Sequence, residues 1–338
     1  MKPPLLILLV LGLTLAAAPE ASAVPDPGQA LVVSGRMEEA IAYYRRVLAR
    51  EPENMTACAG LGDALCRAGN TAESLETLNR CRQRHPRDAG LYFARGMCRQ
   101  QQGPSGFDAA MLDFRQVLAL DPKNAPAHNQ LGIIYQARGN YPAAIEEFQA
   151  AIDQDPNLFI AENNLAASLI ALKRYPEAIA VLQNAIARAP SLKGLYFYTN
   201  LGIAFLYSGM LGQAEAAFLM ETAINPDHLE AHINLGNLYV LRGRYDDAFY
   251  EFNRVLMADP KNQQALVNLG AAYVMAGNPD ESLRYLEPAV ELYPDSALAH
   301  HYLGQAAQAL GDPVRAASEE KRATQLGYQP GVSPFGGR

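Results

Sequence analysis

Apolar residues recur every three or four positions along most of the chain. In Leu131-Gly132-Ile133-Ile134-Tyr135, and again from Ala144 through Phe148 to Ile152, they mark one face of an amphipathic helix. Gly139-Asn140 separates these two stretches, and Asp155-Pro156 ends the second, because proline lacks the N–H that a continuing helix needs. Each block therefore predicts a helix A, a short turn and an antiparallel helix B. Prolines at the ends of successive blocks stand at Pro52, Pro86, Pro122, Pro156, Pro190, Pro226, Pro260 and Pro294, at intervals of 34 residues with two of 36. Eight marks this regular define an array of one supersecondary unit. Ten residues after most of them comes a glycine: Gly62, Gly96, Gly132, Gly236, Gly270 and Gly304. Gly202 arrives after twelve, and Ala166 takes the place in one unit. A second glycine follows seven residues on, at Gly69, Gly103, Gly139, Gly209, Gly243, Gly277 and Gly311. The first glycine and the alanine twelve residues later (Gly132 with Ala144, Gly236 with Ala248) are expected where the two helices of a unit touch, since a close-packed interior leaves no room for more.

With Leu131, Gly132, Tyr135, Ala144, Phe148, Ala151 and Pro156 in one unit, and Leu235, Gly236, Tyr239, Ala248, Phe252 and Pro260 in another, the chain resembles the tetratricopeptide-repeat family. These residues fill positions 7, 8, 11, 20, 24, 27 and 32 of the family signature, the second unit lacking the alanine at 27. Position 4, usually aromatic, holds His128 and His232. The resemblance implies an all-α, right-handed α-solenoid of about nine antiparallel helix-turn-helix units. These fall near 24–54 (truncated), 55–88, 89–124, 125–158, 159–192, 193–228, 229–262, 263–296 and 297–326. Residues 327–338, rich in Gly and Pro, are expected to be an unpacked, flexible tail. The two longer intervals place one insertion in the A–B turn near Pro104-Ser105-Gly106. The other falls at a junction, within Ser191-Leu192-Lys193-Gly194-Leu195, beside Tyr196, Phe197 and Tyr198.

In such a stack the A helices line a concave groove, which is the default binding surface. Position 6 of successive units reads Gln130, Asn164, Asn200, Asn234, Asn268 and Tyr302. An Asn amide offers an acceptor and two donors, the complement of an extended peptide's N–H and C=O. The series resembles the asparagine ladder in the repeat superhelix of O-linked N-acetylglucosamine transferase, although no glycosyltransferase domain fits in this chain. The other reading is that these asparagines bond between neighbouring helices. Asn129, Asn163, Asn237, Gln136, Ile203, Tyr207 and His301 are expected beside the ladder; of these, Asn237 and Tyr207 join it as candidate peptide-binding residues. A carboxylate clamp of the kind that holds chaperone tails does not fit, because Leu298 and Tyr302 stand where basic residues are needed.

Composition changes the picture in three places. The formal net charge of −7 and the absence of a Lys/Arg block argue against nucleic acid as a partner. Residues 1–23 have the layout of a signal peptide: Lys2, an apolar run from Leu5 to Ala18, and Ala21-Ser22-Ala23, with cleavage expected after Ala23. The run is too short for a comfortable membrane span, so the expectation is an exported protein, periplasmic or secreted, with an uncleaved anchor as the alternative. Finally, four cysteines lie close together: Cys58, Cys66, Cys81 and Cys98. Export favours disulfides, with four buried thiols as the alternative. Cys58 and Cys66 lie about 12 Å apart along one helix and cannot bond each other. Cys58 at position 4 and Cys81 at position 27 meet across the antiparallel pair, which leaves Cys66–Cys98 to join two units.

No nucleophile elbow, zinc helix, P-loop or dinucleotide fingerprint occurs. His128, His232 and His300 all occupy position 4 and are expected to pack rather than bind metal. Asn54-Met55-Thr56 is a glycosylation sequon, meaningful only in a eukaryotic secretory pathway. The expectation is thus a non-enzymatic scaffold or adaptor of the cell envelope, without cofactor or metal. It would hold extended segments of partner proteins in its groove during assembly or secretion. The alternative is a scaffold that uses its convex face, its aromatic junction or self-association.

Overall fold

The computed structural model describes residues 26–189, 195–329 and 335. The expected signal peptide (1–23) and most of the junction insertion (Ser191 to Gly194) lie outside these residues. The described residues form 18 α-helices and no strand. They divide into two compact units, one ending at Lys173 and the other beginning at Arg174.

The first unit opens with a short helix α1 (Pro27–Val33) and α2 (Met37–Arg50), the truncated hairpin. The hairpins α3 (Met55–Arg67) with α4 (Thr71–Arg84), α5 (Ala89–Gln100) with α6 (Phe107–Leu120), and α7 (Ala125–Ala137) with α8 (Tyr141–Gln154) follow, and α9 (Phe159–Ala171) closes the unit. The second unit starts with α10 (Tyr175–Arg188). It continues through the hairpins α11 (Phe197–Tyr207) with α12 (Leu211–Ile224), α13 (Leu229–Leu241) with α14 (Tyr245–Ala258), α15 (Gln263–Met275) with α16 (Pro279–Leu292), and α17 (Ala297–Ala309) with α18 (Pro313–Gln325). Within each unit every hairpin packs against the next.

Short side chains set where the A helices begin. Asn54, Asp88, Asn124, Asn262 and Ser296 each accept a hydrogen bond from the N–H three residues on, satisfying a donor that the helix itself cannot. The A–B turns need a left-handed residue, and glycine supplies it at Gly139 (φ 72°) and Gly243 (φ 70°). Lys173 adopts the same conformation (φ 61°) without glycine's freedom. The first insertion is absorbed by a single 3₁₀ turn, Gly103–Ser105. At the second, the A helix begins at Phe197 rather than at the expected 193, after Tyr196 in a left-handed conformation (φ 53°).

The reason for the small residue on helix A differs from the expected Gly–Ala contact. A Cβ at Gly132 would sit 2.5 Å from the Phe148 ring, and one at Gly236 would sit 2.6 Å from Phe252. Glycine makes room for the large side chain at position 24. Leu78, Phe114, Phe148, Leu182, Phe218, Phe252 and Leu286 fill that position and are fully buried. The alanines at position 20, including Ala144 and Ala248, are buried as well. The last hairpin departs from this: a Cβ at Gly304 would sit 3.2 Å from the Ala316 carbonyl oxygen, close to the arrangement the sequence suggested throughout.

Residues 330–334 and 336–338 of the expected tail lie outside the described residues, and parts of the rest pack. Tyr328 stacks on His301 with ring centroids 3.9 Å apart and bonds its Nε2 at 2.9 Å, and Phe335 is buried.

Candidate functional site

The candidate ladder separates into two local arrangements. In the first unit, Asn164 Nδ2 donates to Asn129 Oδ1 at 3.2 Å. Gln136 Nε2 donates to Ser168 Oγ at 3.1 Å, and Ser168 Oγ donates to the Asn164 carbonyl at 3.1 Å. Asn129, Gln130, Gln136, Asn163, Asn164 and Ser168 are all buried. Asn129, Asn163 and Gln136, expected as peptide neighbours, therefore lie inside the stack, where buried polar groups must find partners.

In the second unit the rung is Asn268 Nδ2 donating to Asn237 Oδ1 at 2.8 Å. The bond joins α15 to α13 and fixes both amides. Asn234 lies on the same face of α13, half-buried, and its Nδ2 is buried without a hydrogen-bond partner. Glu230, one turn earlier, is half-buried, and burial alone pushes its carboxyl up to about 7. Asn200 on α11 is half-buried, and Tyr302 on α17 is buried. Tyr207, at the end of α11, is exposed and stacks on Tyr175 of α10 at 5.7 Å; burial of its hydroxyl raises its pKa. Close by, Tyr175, Pro176, Ile179, Phe205 and Met210 line a shallow, largely apolar hollow of about 580 Å³.

The three position-4 histidines bridge the two helices of their hairpins. His128 Nδ1 meets Glu147 at 2.7 Å, His232 meets Glu251 at 2.5 Å, and His300 meets Glu319 at 2.6 Å. His232 and His300 also place Nε2 3.1 Å from the carbonyls of Pro226 and Pro294. Tyr92, at the same position, donates to the Pro86 carbonyl at 3.2 Å. Tyr92, His232 and His300 thereby tie α5, α13 and α17 to the end of the preceding unit. Of the Glu partners only Glu147 stands out in the sequence, in the acidic pair Glu146-Glu147 whose simplest reading is a solvated face, although each follows its histidine by 19 residues. Glu230 was also missed; its signal is a lone acid at the start of an otherwise apolar A helix.

The cysteines belong to the first unit. Cys58 is bonded to Cys81, with Cα atoms 6.4 Å apart, and Cys66 to Cys98, at 5.6 Å. The first bond closes the α3–α4 hairpin and the second ties α3 to α5. Beside them, buried Arg95 forks onto Asp113 at 2.6 Å, with Arg99 and Asn79 completing the cluster. Among the described residues no helix is long and apolar enough to cross a membrane, and no cluster of three metal-ligating side chains occurs.

Serial helix hairpins, most with a helix A glycine fitted to a large position-24 side chain, define an all-α repeat protein. Tetratricopeptide-repeat models match residues 31–94 and 240–306, and residues 105–159, 129–193 and 199–263. The chain belongs to the tetratricopeptide-repeat family, whose members typically bind other proteins. The fold is similar to a chain of the APC/C hetero-tetramer Cut9-Hcn1, with a TM-score of 0.63 and 19% identity, covering 82% of this chain and 54% of that one. It is also similar to a tetratricopeptide-repeat protein from Parabacteroides merdae (TM-score 0.57, 18% identity, 72% and 94% covered). A third likeness is to PilF of Pseudomonas aeruginosa (TM-score 0.55, 22% identity, 63% and 96%). The CTR9 homolog of Arabidopsis thaliana is 33% identical over 108 residues, which are 32% of this chain and only 10% of that protein.

Proposed function

We propose that the protein is a non-enzymatic scaffold that holds extended segments of partner proteins against the A helices of its second unit. One observation carries this reading. The bond between Asn268 and Asn237 locks two amides in place while leaving Asn237 Nδ2 as a donor and Asn268 Oδ1 as an acceptor. A donor and an acceptor held side by side complement the C=O and N–H of an extended backbone, and complementarity of this kind does not depend on partner sequence. The signal-like residues 1–23 support an exported protein working in the cell envelope during assembly or secretion. The test is affinity capture from the envelope fraction by the full chain and by an Asn234→Ala, Asn237→Ala double variant. The reading expects the variant to lose its partner while remaining folded at the capture temperature, the stranded Asn268 amide costing about 1–3 kcal/mol. Unchanged capture would contradict it.

A second reading rests on the B helices. Tyr250 and Met257 on α14, and Leu219 and Met220 on α12, are exposed, with Met257 84% accessible. If partners or further copies dock there, capture or self-association is lost on Tyr250→Glu and Met257→Glu and survives the asparagine changes.

A further inference from the structure

Glu230, Asn234 and Asn237 follow one another at four and three residues on α13 and so share one helix face. Their bonding states differ. Asn237 is held by Asn268, whereas Asn234 Nδ2 is buried with no acceptor. The Glu230 carboxyl is withdrawn from water without a counter-charge, and burial is the only cause of its shift to about 7. The buried and half-buried acids on the elements packed around α13 are committed elsewhere. Asp227 before α13 and Asp246 and Arg254 of α14 are exposed, and His228 lies 3.6 Å from Glu221. Glu221 of α12 accepts from Asn225 and the Thr199 N–H, and Glu251 of α14 faces His232. Glu215 of α12 is paired with Arg242 and Arg244, and Asp247 of α14 with Arg244. The described parts of α11 and α15 bring only tyrosines as titratable groups.

A buried donor without an acceptor and a desolvated acid without a cation both cost stability. A stack optimised only for folding has no use for either, and paired vacancies of opposite kind on one face match a single ligand residue. We infer that Glu230 and Asn234 form a seat for one basic residue, Lys or Arg, of an extended partner segment. The Glu230 carboxylate takes the side-chain cation, and Asn234 Nδ2 donates to that residue's backbone carbonyl. The inference rests on the peptide-binding reading above and specifies the chemistry of the segment held. The chain's negative charge acts in the same direction, drawing basic segments toward it.

The consequence is a binding preference that follows pH. A cation binds the ionised carboxylate, so affinity for basic segments rises about tenfold from pH 6 to pH 8 as the ionised fraction of a group titrating near 7 grows. The test uses the full chain and acetylated, amidated dodecapeptide libraries, random except for a fixed central Arg, norleucine or Glu. Binding is read by fluorescence anisotropy at pH 6, 7 and 8. The seat predicts that the Arg library binds most tightly and that its margin over norleucine widens about tenfold across this range. In Glu230→Gln, an isosteric change, the margin and its pH dependence disappear while norleucine binding stays. Asn234→Ala weakens all three libraries. If Glu230→Gln keeps the Arg preference, or if all libraries bind alike and are lost only on Asn237→Ala, the seat is overturned and the peptide reading stands. If no library binds at any pH, both are overturned.

Discussion

The α7–α9 face and the α13–α15 face carry the same element, an asparagine that donates to another asparagine on the preceding A helix, and yet they are different surfaces. Around Asn164 and Asn129 the neighbouring Gln136 and Ser168 bond each other, and all four side chains are buried. Around Asn268 and Asn237 nothing closes. Asn234 keeps an unspent donor and Glu230 an unpaired carboxyl. Both pairs leave one donor and one acceptor outside their bond. Asn129 is buried whereas Asn237 is half-buried, so the first pair contributes to packing and the second is available to a ligand. Residue identity does not distinguish the two cases; burial and the unpaired Asn234 donor do.

The comparison is meaningful only if the two units share one kind of core, and that is the largest effect to test. Phe148→Ala and Phe252→Ala each remove a fully buried ring seated against a glycine and should cost about 3–5 kcal/mol apiece. Chemical denaturation of the full chain, followed by hydrogen exchange to localise the loss, checks it. A large inequality would mean that the faces differ because their cores do. Next is the cross-linking of the first unit. Reducing Cys58–Cys81 and Cys66–Cys98, which span 23 and 32 residues, should cost about 3 kcal/mol per bond, confined to helices α2 to α6. Melting with and without reductant should leave the second unit unmoved; non-reducing mass mapping that finds four free thiols would remove the prediction altogether. The smallest effect is the sharpest contrast. Asn164→Ala strands the buried Asn129 amide and should cost about 1–3 kcal/mol, whereas Asn234→Ala removes a donor that bonds nothing and should be neutral or slightly stabilising.

Much of the architecture can be read in the spacing of a few residues. The prolines and their companion glycines mark the units, and α3, α5, α7, α9, α13, α15 and α17 begin at the residues that the 34-residue period marks. The A helix after the second insertion does not, because a period says nothing about how extra residues are absorbed. The Gly132–Phe148 fit was obscured because both Ala144 and Phe148 face helix A, and sequence alone does not rank them. The His–Glu pairs were legible as a 19-residue recurrence, but the pairing runs across a hairpin and not along one helix. The state of the ladder was not legible. Asn164 bonds a residue 35 positions back and Asn268 one 31 back, a shift of about one helical turn. A shift of that kind arises from how neighbouring A helices sit against each other, and it decides which amides are spent. Glu230 is a similar case: its environment comes from residues distant in sequence, so nothing adjacent to it announces that it is desolvated.

On this reading the second unit's A-helix face, and not the buried amides of the first, receives the partner. Hydrogen-exchange mass spectrometry on the full chain, alone and saturated with its captured partner, tests this most directly. The account predicts new protection concentrated in residues 229–241 and 263–275 and no change in residues 125–137 and 159–171. Protection that appears in the first unit alone, or on the B helices α12 and α14 with the A helices unchanged, would contradict it.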